Sequence, residues 1–371
     1  MHPFLQQLLQ GQAVEWKTLG EVANLNRGRV MSKTYLADNI GEYPVYSSQT
    51  ANNGEIGKIN TFDFEGEFIT WTTDGANAGT VFYRNEKFSI TNVCGLITLK
   101  YDYLTYKFLF YWLSIQAKKH VYSGMGNPKL MSNQMEKIQI PIPPLSVQSQ
   151  IVQILDTFTE LTAELTAELS MRQKQYQYYR DFLLSEHELA KVGFEWKSLG
   201  ELGIINRGKR VIKNQLTTEG SYPVYQNSLQ PLGYFDKFNV KANTTFMITA
   251  GAAGEIGYSN CAFWSADDCY YFDCPKDVLD NRFLYHSLKK QQNKIFSQVR
   301  KASIPRLGRN SVENIKIPIP PLSVQSQIVA ILDTFDVLTQ SISDGLPKEI
   351  QLRQKQYEYY RELLLGFDTQ K

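Results

Sequence analysis

The chain is sparing with the side chains that ordinarily do chemistry. Its four histidines, His2, His120, His187 and His286, stand at distant positions, giving neither metal-ligand spacing nor a nucleophile paired with a base. Cys94, Cys261, Cys269 and Cys274 form no CxxC pair, so a zinc ribbon and a disulfide framework are both disfavoured and incidental thiols are expected. Glu15-Trp16-Lys17 and Glu195-Trp196-Lys197 carry a Glu-x-Lys fragment of the kind nucleases use. A metal nuclease needs several convergent carboxylates, and none accompany these, so they read as framework. The stretches Gly75-Ala76-Asn77-Ala78-Gly79 and Gly251 to Gly257 invite a phosphate-loop reading, but no Gly-Lys-Ser/Thr follows either one. As turns between strands they need no ligand; the other reading lets them, Asn77 included, approach DNA closely. No catalytic residue, metal site or bound cofactor is expected.

Positive charge is the chemistry that is present. Between Arg282 and Arg309 lie Lys289, Lys290, Lys294, Arg300, Lys301 and Arg306 with no Asp or Glu in the span, and Gln291, Gln292, Asn293, Gln298 and Asn310 add amides suited to base edges. A thinner version, Lys107, Lys118, Lys119 and Lys129 with His120 and Asn127, runs from Tyr103 up to Glu136. Arg27-Gly28-Arg29 and Arg207-Gly208-Lys209-Arg210 form a further pair of clusters. Any one of these could be an ordinary solvated face. Their recurrence at matching places favours phosphate-seeking surfaces.

The matching places come from a tandem duplication with an offset near 180 residues. Trp16-Lys17-Thr18-Leu19-Gly20-Glu21 returns as Trp196-Lys197-Ser198-Leu199-Gly200-Glu201, and Tyr43-Pro44-Val45-Tyr46 as Tyr222-Pro223-Val224-Tyr225. Residues 140–158, IPIPPLSVQSQIVQILDTF, recur at 317–335 with one change, Gln153 against Ala330, and RQKQYQYYR (172–180) returns as RQKQYEYYR (353–361). Between these pieces, roughly 50–135 and 230–312, the copies have diverged. One scaffold therefore carries two different surfaces. The whole chain of 371 residues balances 39 Lys+Arg against 37 Asp+Glu, so affinity for nucleic acid must come from local clusters. Its longest strongly apolar run, Phe108 to Ile115, is far below the roughly 20 residues of a membrane span, and a soluble cytoplasmic protein is the default.

Each copy reads as a mixed α+β globule, with strands at 68–72, 81–83, 95–100, 245–249 and 269–272 and helices at 103–121 and 282–296. Proline makes the Ile-Pro-Ile-Pro-Pro runs extended connectors, neither helix nor central strand. A long helix follows each, with Ser146 and Ser323 as candidate N-caps. In the first, Val147, Ile151, Ile154, Phe158, Leu161, Leu165, Leu169, Tyr176, Tyr179 and Leu183 make a narrow stripe over about 40 residues, a rod of roughly 60 Å. Packing against the second copy, 324–365, buries that stripe most economically, as two antiparallel helices; the alternative is that both helices belong to domain cores. The second rod should break or kink at Asp344-Gly345-Leu346-Pro347.

The duplicated WK-x-LGE opening, the IPIPPL connector into a long helix and the RQKQY-x-YYR tail resemble the specificity subunit of type I restriction-modification enzymes, over essentially the whole chain. The resemblance implies two target-recognition domains (1–143 and 191–320), each reading half of a bipartite double-stranded DNA site, on two long scaffold helices (144–190 and 321–371). It implies docking of methyltransferase subunits, two of them, and through these the restriction/translocase subunits. S-adenosylmethionine, ATP and Mg²⁺ would then sit on the partners, in keeping with the missing P-loop and the missing Asn/Asp-Pro-Pro-Tyr/Phe motif. The family's DNA-facing segments map onto Asn127-Pro128-Lys129-Leu130 and Ile304-Pro305-Arg306-Leu307. One departure concerns the rods: Phe158 to Arg172 spans 14 positions and Phe335 to Arg353 spans 18. Thr162-Ala163-Glu164-Leu165 repeats there as Thr166-Ala167-Glu168-Leu169, a stutter in the stripe that would set the spacing of the two readers. A protein-protein adaptor without DNA specificity is the competing reading.

Overall fold

Proline dictates how each copy closes. Pro141 and Pro318 have no N–H to give, so each fits only in a strand with an open side. In the computed structural model, which describes residues 1–124, 126–340 and 345–367, both lie in two-stranded antiparallel ribbons. Strand β1 (Glu15–Thr18) pairs with the connector, setting Trp16 opposite Pro141, and a later ribbon sets Trp196 opposite Pro318. The connectors are thus extended but not free: each returns to the Trp-Lys motif that opens its own copy.

The chain divides into two units, Met1–Glu164 with Gln351–Lys371, and Leu165–Ile350. The first holds β2 (Ala23–Arg27), β3 (Ile40–Tyr46), β4 (Glu55–Ile59), β5 (Phe64–Thr72), β6 (Val81–Ile90), β7 (Cys94–Leu99) and the connector strand β8 (Gln139–Ile142). Strands β2 to β7 form one sheet in the order β2-β7-β5-β6-β3-β4, with β3 parallel to β6. The second unit opens with β9 (Glu195–Ser198) and closes with its connector strand β17 (Lys316–Ile319). Between them β10 (Ile205–Arg207), β11 (Tyr222–Tyr225), β12 (Gly233–Phe235), β13 (Thr244–Ile248), β14 (Ile256–Ser259), β15 (Trp264–Ser265) and β16 (Cys269–Phe272) make two sheets, β10-β16-β13-β14 and β12-β11-β15. The strands expected from sequence are present; β1, β2, β3, β4, β9, β10, β11, β12, β14 and β15 are additional, and the extended connectors form β8 and β17.

The domain helices are shorter than their periodicity suggests. Tyr106–Gln116 continues only as a 3₁₀ turn, Ala117–His120, and the second copy gives Asn281–Lys290 and Gln292–Ser297, broken at Gln291. Their starts are fixed by caps: Thr105 Oγ1 accepts from Phe108 N, and Asp280 accepts from the amides of Arg282 and Phe283.

The first scaffold helix runs unbroken from Leu145 to Leu183, 39 residues or about 58 Å. The second is Leu322–Gln340 and Leu346–Leu364; of the expected break, Asp344 lies outside the described residues, Gly345 is a bend, and Pro347 sits in the first turn of the following helix, where its missing N–H costs nothing. Ser146 and Ser323 are not the N-caps. The helices begin one residue earlier, and the carbonyls of Pro144 and Pro321 take the amides of Val147 and Gln148, and of Val324 and Gln325.

The stripe of the first helix has two kinds of neighbour. Val147, Ile151 and Leu155 are at most 2% exposed and belong to one core with Trp71, Phe108, Leu109 and Leu113, each contributing roughly 1.5–3 kcal/mol by burial. Further on, Phe158, Leu161, Leu165 and Leu169 are half-buried, and Tyr179 is exposed at 40%. Within the first unit Phe158 stacks on Tyr360 (centroids 5.2 Å apart), and within the second Phe335 stacks on Tyr179 (5.4 Å). These are the same pair of repeated positions: the head of each copy meets the tail of the other.

The other duplicated contact is a buried glutamine. Gln148 Oε1 accepts from Thr105 N (2.9 Å), and its Nε2 donates to the carbonyls of Tyr103 and Pro143 (2.8 and 2.9 Å). Gln325 repeats this with Asp280 N, Val278 O and Pro320 O, at 2.8, 2.9 and 2.8 Å. Both side chains are fully buried. Gln148→Leu or Gln325→Leu strands three backbone groups, and we expect a loss of about 2–4 kcal/mol in chemical denaturation. The exposed control Gln150→Leu should move the midpoint little; equal midpoints for all three variants would show that the amide holds nothing.

Candidate nucleic-acid interface

In each domain the glycine-rich turn is zipped to the loop that precedes the connector. Glycine opens the turn in the left-handed region, Gly75 at φ +88° and Gly251 at φ +83°. Its amide then reaches the proline of the facing loop: Gly75 N donates to Pro128 O (3.0 Å), and Gly251 N to Pro305 O (3.1 Å). Leu130 N returns to Thr73 O (2.9 Å), and Leu307 N to Thr249 O (2.8 Å). The facing loop also folds back on itself through reciprocal bonds, Tyr122 with Lys129 and Arg300 with Arg306. The result is a three-segment ribbon built twice, with Asp74 bridged to Lys129 in one and Ala250 to Arg306 in the other.

Behind the ribbon the turn rests on the basic segment after the domain helix. A Cβ on Gly79 would come within 3.2 Å of Lys118 Cα, and Gln292 Nε2 donates to Gly254 O at 2.6 Å. Lys118, Lys119, Asn127 and Lys129 are exposed, as are Lys294, Arg300, Lys301 and Arg306. Asn77 is half-buried, and its carbonyl is taken up by Thr72 Oγ1 and Thr80 N within the turn. Arg27 joins the end of this loop, with Nη2 2.6 Å from Met131 Sδ.

Of the other candidates, Lys209 and Arg210 are exposed and the rest are engaged elsewhere. Arg29 pairs with Asp63 at 3.1 Å and with the Tyr35 hydroxyl, contacts that raise its guanidinium above its usual range. Arg207 Nε donates to Asp267 O, and Lys209 and Arg210 are exposed beside it. Gly28 and Gly208 explain why these clusters share a glycine: a Cβ there would lie 1.9 Å from Ile90 O or 2.0 Å from Ala266 O. Lys290 Nζ donates to Leu184 O at 2.6 Å, and burial pushes both Lys289 and Lys290 below the ordinary ammonium range. Arg309 pairs with Glu313 one turn on, at 2.7 Å. Arg282 is held by Asp333 (2.7 Å) and Asp336 (2.5 Å), turning it toward the scaffold.

Sequence reasoning passed over Asp74 and Tyr122. The signal for Asp74 was an offset comparison of Thr73-Asp74-Gly75 with Thr249-Ala250-Gly251, which aligns the one acid with an alanine. Among the described residues no group of three or more His, Cys, Asp or Glu could hold a metal ion, and no helix is long and apolar enough to cross a membrane.

Comparison with known proteins agrees with the duplicated plan. The family model described as the type I restriction modification DNA specificity domain matches twice, at residues 13–171 and 191–352. A putative type I specificity subunit of Mycoplasma pneumoniae is 35% identical, covering 93% of this chain and 95% of its own length. A putative type I restriction enzyme specificity subunit of Haemophilus influenzae is 36% identical over 98% of each, and the EcoR124I/EcoR124II specificity subunit of Escherichia coli 33% identical over 98% and 97%. The crystal structure of the S subunit of a type I system from Mycoplasma genitalium shares the fold, with a TM-score of 0.70 at 18% identity and 97% coverage of both chains. The chain therefore belongs to the family of type I restriction-modification specificity subunits, the non-catalytic members that confer DNA sequence specificity.

Proposed function

We propose that each domain reads one half of a bipartite, asymmetric double-stranded DNA site through its zipped ribbon, while the scaffold docks catalytic partners. The observation that carries this is the ribbon built twice with the same hydrogen bonds, bearing Lys129 in one copy and Arg306 in the other on otherwise divergent surfaces. The readers are residues 1–143 and 191–320, and the scaffold segments 144–190 and 321–371. Two methyltransferase subunits dock on the repeated scaffold, with restriction/translocase subunits reached through them in the cytoplasm. S-adenosylmethionine, ATP and Mg²⁺ belong to those partners, whose chemistry this chain directs.

Lys129→Ala and Arg306→Ala should each weaken binding of cognate and random duplexes alike, because phosphate contacts carry no sequence information. Each should also reduce the salt slope by about one ion. Titrations of the complex at several salt concentrations read both quantities, and an unchanged slope in both variants removes the ribbons from the interface.

The Thr-Ala-Glu-Leu repeat lies where the division of the chain falls, between Glu164 and Leu165. Leu165 and Leu169 are half-buried there, and Thr162 Oγ1 bonds back to Phe158 O at 2.7 Å. Together with Thr166 they make this stretch the ruler between the readers. One more copy of the four residues adds about 6 Å of helix and a net turn near 40°. That rotation is close to the roughly 34–36° per base pair of B-DNA, while the surplus over one 3.4 Å step must go into tilt or DNA deformation. The expected outcome is an unread spacer longer by about one base pair with both half-sites intact. A single inserted alanine turns the rod by about 100° and should abolish methylation. Methylome sequencing of both insertion strains decides it; an unchanged spacer with methylation still active would remove this stretch as the ruler.

A further inference from the structure

Asp74 is out of place if the first ribbon meets phosphate. Its counterpart Ala250 carries no charge, and no other acid occurs among Thr73, Gly75, Tyr122 and Pro128–Leu130, the rest of the ribbon. A carboxylate on a DNA-facing surface is repelled by the backbone and lowers affinity for every sequence. A stabilising role does not offset that cost. Asp74 Oδ1 lies 3.8 Å from Lys129 Nζ, with the side chains 29% and 48% exposed, a geometry worth little to folding. The backbone pairing of the ribbon is also complete without it, since Ala250 supports the same ladder.

What an ionised carboxylate can do at a duplex is accept. In the major groove the donors are cytosine N4 and adenine N6, whereas guanine O6 and N7 and thymine O4 are acceptors that repel it. Lys129 beside it supplies a tether to phosphate, and Thr73 Oγ1, whose proton goes to Val93 O at 3.0 Å, lies 3.5 Å from the other carboxylate oxygen. Resting on the DNA-reading role proposed above, we infer that Asp74 is a specificity-determining residue of the first domain, fixing one base pair of the first half-site by accepting a hydrogen bond from the amino group of cytosine or adenine. The second domain, with Ala250, lacks this discriminator.

The test uses the complex of this chain with its methyltransferase, selecting from duplex pools that carry every base at each position of the two half-sites. Asp74→Ala should relax discrimination about tenfold at a single pair of the first half-site. The second half-site should stay unchanged and affinity for random duplex should rise. The isosteric Asp74→Asn, which keeps the fold and adds a donor, should make adenine the preferred base at that pair, whichever of the two Asp74 reads. Ala250→Asp should add a new requirement at one pair of the second half-site. Arg306→Ala separates the two levels of the argument. If it weakens binding while the Asp74 variants leave the first half-site profile unchanged, this inference fails and the DNA reading stands; if it leaves binding and salt slope unchanged as well, both fail. Loss of affinity in Asp74→Ala with an unaltered profile would make Asp74 a support for Lys129 and overturn the assignment.

Discussion

A glutamine amide without access to water must find all its partners in the protein, and Gln148 and Gln325 find theirs in the same three kinds of backbone group. Each sits in the first turn of a scaffold helix and ties together the loop before the domain helix, the N-cap residue of that helix and the last proline stretch of the connector. An unmet buried amide costs more than a made one gains, so the arrangement is nearly all-or-none. Once it is made, the scaffold helix, domain helix and connector ribbon have one relative placement. The Pro-rich connector then has to run back along the Trp-Lys strand, and the loop between domain helix and connector, which carries Lys129 or Arg306, emerges at a fixed place.

About two turns further along, the two copies secure the same junction with different chemistry. Asp156 receives Lys107 (2.5 Å) and the Tyr111 hydroxyl (2.6 Å); its counterpart Asp333 receives Arg282 and the buried His286 (both 2.7 Å), and His286 Nδ1 lies 3.2 Å from the Tyr176 hydroxyl. Burial pushes His286 below the ordinary imidazole range even though Asp333 pulls it up. Burial would raise Asp333, but its hydrogen bonds from His286 and Arg282 outweigh that and hold it low. A depressed carboxylate stabilises the fold above its unfolded pKa and is lost as pH falls through the folded one; a depressed histidine also works against folding once acid protonates it. Both act in the same direction, so the junction of the second unit carries an acid sensitivity through His286 that Tyr111, uncharged in acid, does not give the first.

The parts of this design that were legible in the sequence are those duplicated in it. The Trp-Lys openings, the connectors and the long helices could be placed because a near-identical stretch states the same local preference twice. What the duplication could not reveal is what each repeated piece touches. Gln148 and Gln325 lay inside the quoted repeat as ordinary polar positions of an amphipathic helix, since periodicity marks polar residues as outward-facing. Ser146 and Ser323 drew the cap assignment because serine favours caps, yet the preceding prolines had already fixed the turn and offered their carbonyls. Among the basic residues, sequence could not separate the exposed Lys294 from Lys290 and Arg282, which face the scaffold, because helix phase decides that and both phases are cationic.

Constraint on one face and freedom on the other follow from the same geometry. The scaffold helix cannot change where it is buried, because its residues meet the domain core through Val147, Ile151 and Leu155 and then the tail of the other copy through Phe158. Leu130 and Leu307 anchor the ribbons in the two domain cores, and the exposed residues between bear no such load. Their contacts with one another are backbone hydrogen bonds, which any side chain compatible with the turn permits, so Asp74 can stand where Ala250 stands, and Tyr122 where Arg300 stands, with the ladder preserved. Glycine at 75 and 251 is the exception, because the left-handed turn demands it. A surface held by its main chain and free in its side chains can acquire a new sequence preference without refolding, and it lets nearly identical frameworks carry two unlike readers in one chain.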